Sequence, residues 1–192
     1  MTFLTSGLRP RPGGKAAYFF AVVLGVLLVD LVSKELVASV LPPGQQVPVI
    51  GEYFSLLFIE NPGVAFGISL GVHGQWVVIG LSFVALVALA AMYRGTPPAD
   101  RRRLLAMALV WGGALGNMID RVRSARGVVD FLVFQYRDWQ SPVFNVADVA
   151  VTSGAILLAL CLWQEDAGAV PATMRERRRG AGPSQPTTPT TS

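Results

Sequence analysis

Four long apolar blocks alternate with more polar segments along the chain. The first runs almost unbroken from Ala16 to Val29 and continues past Asp30 to Val40. An α-helix needs about 20 apolar residues to cross a bilayer, so residues 16–37 are predicted as a first transmembrane helix. Leu41-Pro-Pro-Gly44 ends it, since proline removes a backbone donor and glycine frees the chain. The stretch from Gln46 to Glu60 is rich in Val, Ile, Tyr and Phe with a glycine break, which predicts short strands in a hairpin lying on the membrane. Asn61-Pro-Gly-Val-Ala-Phe-Gly67 reads as a turn. The second apolar block, 74–93, has Trp76 and Tyr93 at its ends, as interfacial anchors would be. The third, 104–120, is rich in Gly and Ala. Gly112 and Gly116 stand in G-x-x-x-G spacing with Gly113 beside them, a surface that lets helices approach closely in lipid. Residues 120–142 read as a polar, charged loop. The fourth block, 143–163, has two candidate starts, Ser141-Pro142 and Asn145, both with capping chemistry.

The pattern predicts an all-α membrane protein: four transmembrane helices with a small extracytoplasmic β-sheet between helices 1 and 2. Composition agrees, with 52% apolar and only 15% charged residues. The length fits one domain, placed at 16–165. Residues 1–15 read as a basic cytoplasmic leader and 166–192 as a disordered cytoplasmic tail. A cleaved signal peptide is the rival for the first block. Its length, the lack of a clean small-x-small cleavage site, and Asp30 and Lys34 at its far end argue against that.

Charge then orients the helices. The leader, the 94–103 loop and the Arg-rich tail carry eleven of the sixteen Lys and Arg (Arg9, Arg11, Lys15; Arg94, Arg101, Arg102, Arg103; Arg175, Arg177, Arg178, Arg179). Cytoplasmic loops carry such excess, so both termini are expected inside and the 38–73 and 120–142 segments outside. Basic clusters beside apolar blocks report topology, and no nucleic-acid partner is read from the net charge of +4.

Candidate chemistry follows from placement. Asp130, in Val-Val-Asp-Phe-Leu, and Asp148, in Phe-Asn-Val-Ala-Asp-Val-Ala, are acids in apolar company, whereas Asp138 beside Arg137 looks like an ordinary loop acid. A carboxylate among apolar groups is costly unless paired, protonated or at work. With a helix starting near 143, Asp148 is expected about five residues in, roughly 7–8 Å along the axis. Asp30, Asp120, Arg121, Asp130 and Asp148 then converge near the outer interface and leave the midplane empty, which argues against an ion or proton pathway. Two close aspartates cannot both ionise easily, so one holds a proton near neutral pH. Such a pair can activate water for peptide hydrolysis. Nucleophilic catalysis would have to use His73 or Cys161, each poorly placed, and a metal site on the lone histidine lacks partners. Asp30 and Lys34 are spaced i, i+4 and can pair. Asn61, Asn117 and Asn145 can cap turns or hydrogen-bond an extended peptide. Asp120 and Arg121 can pair with loop groups, and Arg121 can hold a substrate carbonyl. A non-enzymatic membrane scaffold is the rival class.

Five segments taken together resemble the lipoprotein signal peptidase (signal peptidase II) family. They are Asp30-Leu-Val-Ser-Lys34, Asn61-Pro-Gly-Val-Ala-Phe-Gly67, Gly112-Gly-Ala-Leu-Gly-Asn-Met-Ile-Asp-Arg121, Val128-Val-Asp-Phe131 and Phe144-Asn-Val-Ala-Asp148, spread over about residues 16–163. The resemblance implies a four-helix membrane aspartic endopeptidase of the bacterial cytoplasmic membrane. Its dyad would be Asp130 and Asp148. Its substrates would be prolipoproteins bearing diacylglycerol on the lipobox cysteine, cut just before that cysteine. It further implies a substrate-cradling sheet over about 46–67, no metal or organic cofactor, and sensitivity to the cyclic peptide globomycin. Asn61, Asn117, Arg121 and Asn145 match substrate- or inhibitor-contacting positions. Asp30, Lys34 and Asp120 match positions that brace the site.

Overall fold

The computed structural model describes residues 14–62, 64–65, 68–69 and 74–169. The expectations for the leader up to residue 13, for His73, for Gly63, Phe66 and Gly67 of the turn, and for the tail beyond residue 169 lie outside the described residues. In chain order the elements are α1 (Gly14–Val40), β1 (Gln46–Ile50), β2 (Phe54–Asn61), β3 (Val64–Ala65), β4 (Ile68–Ser69), α2 (Gly74–Gly95), α3 (Arg101–Arg123), β5 (Val128–Tyr136), β6 (Trp139–Gln140) and α4 (Val146–Ala169). Contacts divide the chain into residues 1–158 and 159–192, with the boundary inside α4. In the second unit, the end of α4 exposes Leu160 and Trp163. The site described below belongs to the first unit.

Among the described residues three helices are long and apolar enough to cross a membrane: α1, α2 and the Val146–Glu165 part of α4. Their outer faces expose Leu24, Leu28, Val32, Leu36, Leu81, Phe83, Val84 and Ile156. Apolar surface on this scale is a membrane-facing belt, not a water-facing one. The third block, expected as a span over 104–120, is a helix but does not meet the same measure. It begins with Arg101, Arg102 and Arg103 and ends with Asp120, Arg121 and Arg123. Its middle is small-residue sequence because α3 is the buried centre of the bundle. Leu104, Ala106, Met107 and Ala108 are fully covered. Leu104, Met107 and Ala108 form a core with Phe19 and Val23 of α1, Leu89 of α2 and the partly buried Leu158 of α4. A helix surrounded by helices needs small side chains more than lipid-facing ones.

Basic residues gather at one end of this bundle. Lys15, expected in a flexible leader, lies in the first turn of α1 and donates to the Tyr93 carbonyl at the end of α2. Arg101, at the start of α3, sits over the Tyr18 ring. Asp100 caps α3 by accepting from Arg103 N at 3.0 Å. The acids and amides of the candidate site lie at the other end.

The sheet is larger than its expected place between helices 1 and 2. Its strand order is β1-β2-β5-β6, and the last two strands come from the 120–142 segment, expected as a loop. Val128–Phe134 is apolar enough to fill a strand. It pairs antiparallel with β2 in the register Ile59↔Asp130 and Asn61↔Val128, after a bulge between Leu56 and Ile59. Phe58 and Phe131 then pack on Val37 near the end of α1, fixing the sheet to the bundle. Gly127 makes the approach possible: its φ is +101°, and a Cβ there would lie 2.0 Å from the Asn61 carbonyl oxygen.

Candidate active site

α4 begins at Asn145, not at Ser141-Pro142. Asp148 N donates to Asn145 Oδ1 (2.9 Å) and Asn145 N donates to Asp148 Oδ2 (3.1 Å), a reciprocal capping box. This corrects the depth expected of Asp148. It stands in the first turn of α4, at the helix end whose free N–H groups favour negative charge. Ala147 N, another first-turn donor, is taken by Asp30 Oδ1 of α1 at 2.8 Å.

Asp130 reaches the same place from β5. It is 3% exposed and receives Asn145 Nδ2 at 2.7 Å and Asn61 Nδ2 at 3.0 Å. Burial, reinforced by the neighbouring Asp148 charge, outweighs these donors and pushes its carboxyl from the usual 3.8 up to about 6. Asp148 Oδ1 receives Asn117 Nδ2 at 2.8 Å. Asn145 thus touches both acids, and Asn117 links to it through Asn145 Nδ2 to Asn117 Oδ1 at 3.0 Å. Asn145 is fully buried, with its amide engaged by Asn117, Asp130 and Asp148.

Lys34 supports this centre from α1. Its Nζ donates to Asp30 Oδ2 (2.7 Å) and Asn117 Oδ1 (2.9 Å), and it pairs with Asp120 Oδ2 at 2.7 Å. The expected i, i+4 pair of Asp30 and Lys34 is therefore present and extended to a second acid, Asp120. The three glycines of α3 set the spacing of the helices around it. A Cβ at Gly116 would lie 2.5 Å from Asp30 Oδ2, and one at Gly113 2.4 Å from the Ala147 carbonyl oxygen. Arg121 donates Nη1 to Asn117 O at 3.1 Å, while its buried Nε has no hydrogen-bond partner among the described residues. Its charge acts on Asp130, Asp148 and Asp120.

All nine residues expected from sequence therefore gather at one end of the bundle. Two others that help were missed. Gln75 of α2 donates Nε2 to the Arg121 and Ser124 carbonyls (3.3 Å to Ser124), tying α2 to the end of α3. Nothing in its neighbourhood marks it out. Gly127, directly before Val128-Val-Asp, could have been found as a glycine opening an apolar strand. Along α4 a cavity of about 360 Å³ opens beside Asp148, lined by Phe144, Val149, Thr152, Ser153 and Ile156. This is an apolar groove leading to a carboxylate.

Two solved structures share this architecture. One is described as a bacterial membrane enzyme solved by the in meso method at 2.3 Å resolution. It has a TM-score of 0.72 and 27% identity, over 80% of this chain and 92% of its own. A second, described likewise at 1.9 Å resolution, has a TM-score of 0.68 and 29% identity over 76% and 92%. Fold and site together define a membrane enzyme with apolar helices and a small antiparallel sheet. The family model Peptidase_A8, Signal peptidase (SPase) II, matches residues 22–164, and the chain belongs to that family. Among its relatives is the lipoprotein signal peptidase of Moorella thermoacetica, 43% identical over 147 residues, 76% of this chain and 91% of the relative. That of Symbiobacterium thermophilum is 41% identical over 146 residues, 74% and 93%. The protein is thus a peptidase of a bacterial membrane.

Proposed function

We propose that this chain removes signal peptides from diacylglyceryl-modified prolipoproteins, cutting before the lipidated cysteine with a water activated between Asp130 and Asp148. The observation that carries the reading is the joining of these two acids through one buried residue, Asn145, whose side-chain amide donates to Asp130 and whose backbone N–H donates to Asp148, with a proton-holding environment at Asp130. Asp148 takes a proton from water, and the oxygen attacks the scissile carbonyl carbon. Asp130 gives its proton to the carbonyl oxygen, forming a tetrahedral diol. Asp148 then protonates the leaving nitrogen as the C–N bond breaks and the diol returns a proton to Asp130. The reaction needs no metal or organic cofactor.

Asn61 and the unspent Nε of Arg121 are the groups we assign to the substrate backbone. Asn117 and Asn145 hold the acids, and Asp30, Lys34 and Asp120 brace them. The groove beside Asp148 takes an apolar segment of the substrate. α3 serves as the fourth span, supported by its place between three apolar helices. The basic end faces the cytoplasm with both termini, and the site faces outward at headgroup depth, where a diacylglyceryl chain in the outer leaflet would hold its cysteine. Globomycin-type cyclic peptides would compete for the same groove. The test is cleavage of a lipid-modified prolipoprotein by purified protein in detergent. Cleavage should resist EDTA, stop with globomycin, and vanish in both D130N and D148N. Retained cutting in both single variants refutes the dyad, whereas no cutting by the wild-type protein favours a scaffold.

A further inference from the structure

We infer that Lys34 is a positioning residue that fixes the direction of two side-chain amides, so that each of the two aspartates meets an N–H and not a carbonyl oxygen. The inference deepens the reading of Asp130 and Asp148 as the working pair and rests on it.

An asparagine side chain can turn over, exchanging its acceptor for its donors, so something must choose its direction. Lys34 can only donate. Its ammonium donates to Asp30 Oδ2 and Asn117 Oδ1 and lies 2.7 Å from Asp120 Oδ2 as an ion pair. With Oδ1 of Asn117 held toward the ammonium, Nδ2 must point the other way, and there it meets Asp148 Oδ1 at 2.8 Å. The same Oδ1 accepts Asn145 Nδ2 at 3.0 Å. That sets the second amide, whose two N–H groups are shared among Asn117 Oδ1, Asp130 at 2.7 Å and the Val129 carbonyl at 3.3 Å, while its oxygen accepts Asp148 N. One cation thus orders a chain running Lys34, Asn117, Asn145, Asp130, with a branch from Asn117 to Asp148. Were Asn117 reversed, an oxygen would face Asp148, a contact that only a protonated Asp148 could satisfy. The charged groups around the pair are Lys34 and Asp30 on α1, Asp120 and Arg121 on α3, Asp130 on β5 and Asp148 on α4.

The test separates direction from charge. Full-length protein in detergent is assayed on a diacylglyceryl-modified prolipoprotein peptide across pH, as wild type, K34M, K34Q and N117D. K34M removes charge and donor together. It should lower kcat/KM by about 100-fold and move the low-pH fall in rate to higher pH. K34Q is equally uncharged but keeps an N–H for Asn117 Oδ1, and should recover about tenfold over K34M. N117D keeps an acceptor for Lys34 yet sets an oxygen against Asp148, so its low-pH fall should move up by about one pH unit. A bracing role alone would lower rates without moving that fall. Equal rates and profiles for K34M and K34Q, or a wild-type profile in N117D, overturn the inference. If the Lys34 variants do not fold, N117D decides alone. Activity surviving in both D130N and D148N would instead overturn the reading beneath it.

Discussion

Replacing Asp130 with asparagine should make the protein inactive and, above neutral pH, more stable. In the folded protein this carboxyl is raised from 3.8 to about 6, mainly by burial. A raised acid binds its proton more tightly folded than unfolded. The folded state therefore carries no penalty below pH 4, a growing one between pH 4 and 6, and the full one above. At 1.36 kcal/mol per pH unit, the full penalty is about 3 kcal/mol. The D130N protein would not carry it. The new amide must present an N–H where Asn145 or Asn61 now donates, and losing one such hydrogen bond costs about 1 kcal/mol. The net expectation is a gain of about 2 kcal/mol at pH 8, or about 4–8 °C in Tm for a chain of this size. At pH 4 the gain should vanish or reverse. Thermal unfolding of D130N and wild type in the same detergent, at pH 4 and pH 8, measures this. A D130N protein that is less stable than wild type at pH 8, or whose difference from wild type does not change with pH, refutes the argument.

Other expectations follow from neighbouring contacts. D148A should have the opposite sign, losing about 1 kcal/mol with its half of the capping box, together with all cleavage; unfolding at pH 8 and the cleavage assay check both. Because Asp130 must carry a proton to assist the carbonyl, kcat/KM should fall as pH rises above about 6, which a pH–rate profile tests. G116A would press a methyl onto Asp30 and disturb Lys34 behind it, so kcat/KM should drop by about tenfold or more, with a lowered Tm. G127A meets both a strained backbone and the Asn61 carbonyl, and should cost about 2–4 kcal/mol in an unfolding titration.

The helices were legible because lipid demands long apolar runs, and α1, α2 and α4 supply them. The strand at 128–136 was not. Its apolar run is short, charges at Arg121, Arg123, Arg126, Arg137 and Asp138 flank it, and its partner β2 lies about seventy positions earlier in the chain. Asp130 was singled out for its apolar neighbours even so. The start of α4 was ambiguous because Ser141-Pro142 and Asn145 offer the same local chemistry. Only the pairing of Phe144 with Leu132 commits the intervening residues to extended backbone. The candidate residues themselves could be picked from motifs and placement. The directions of their amides could not, because these depend on Lys34 meeting Asn117 across 83 positions of sequence.

The first turn of α4 has a consequence for how this centre could be watched. The leading amides of a helix normally exchange freely with solvent, since no preceding turn accepts from them. Here Ala147 N is held by an acid from α1, and Asp148 N by the cap. Of these two adjacent amide protons, the first is locked by a contact that exists only when α1 and α4 are assembled together, and the second by the cap. Their exchange rates would act as a clock for opening of the centre, legible without substrate and in an inactive variant.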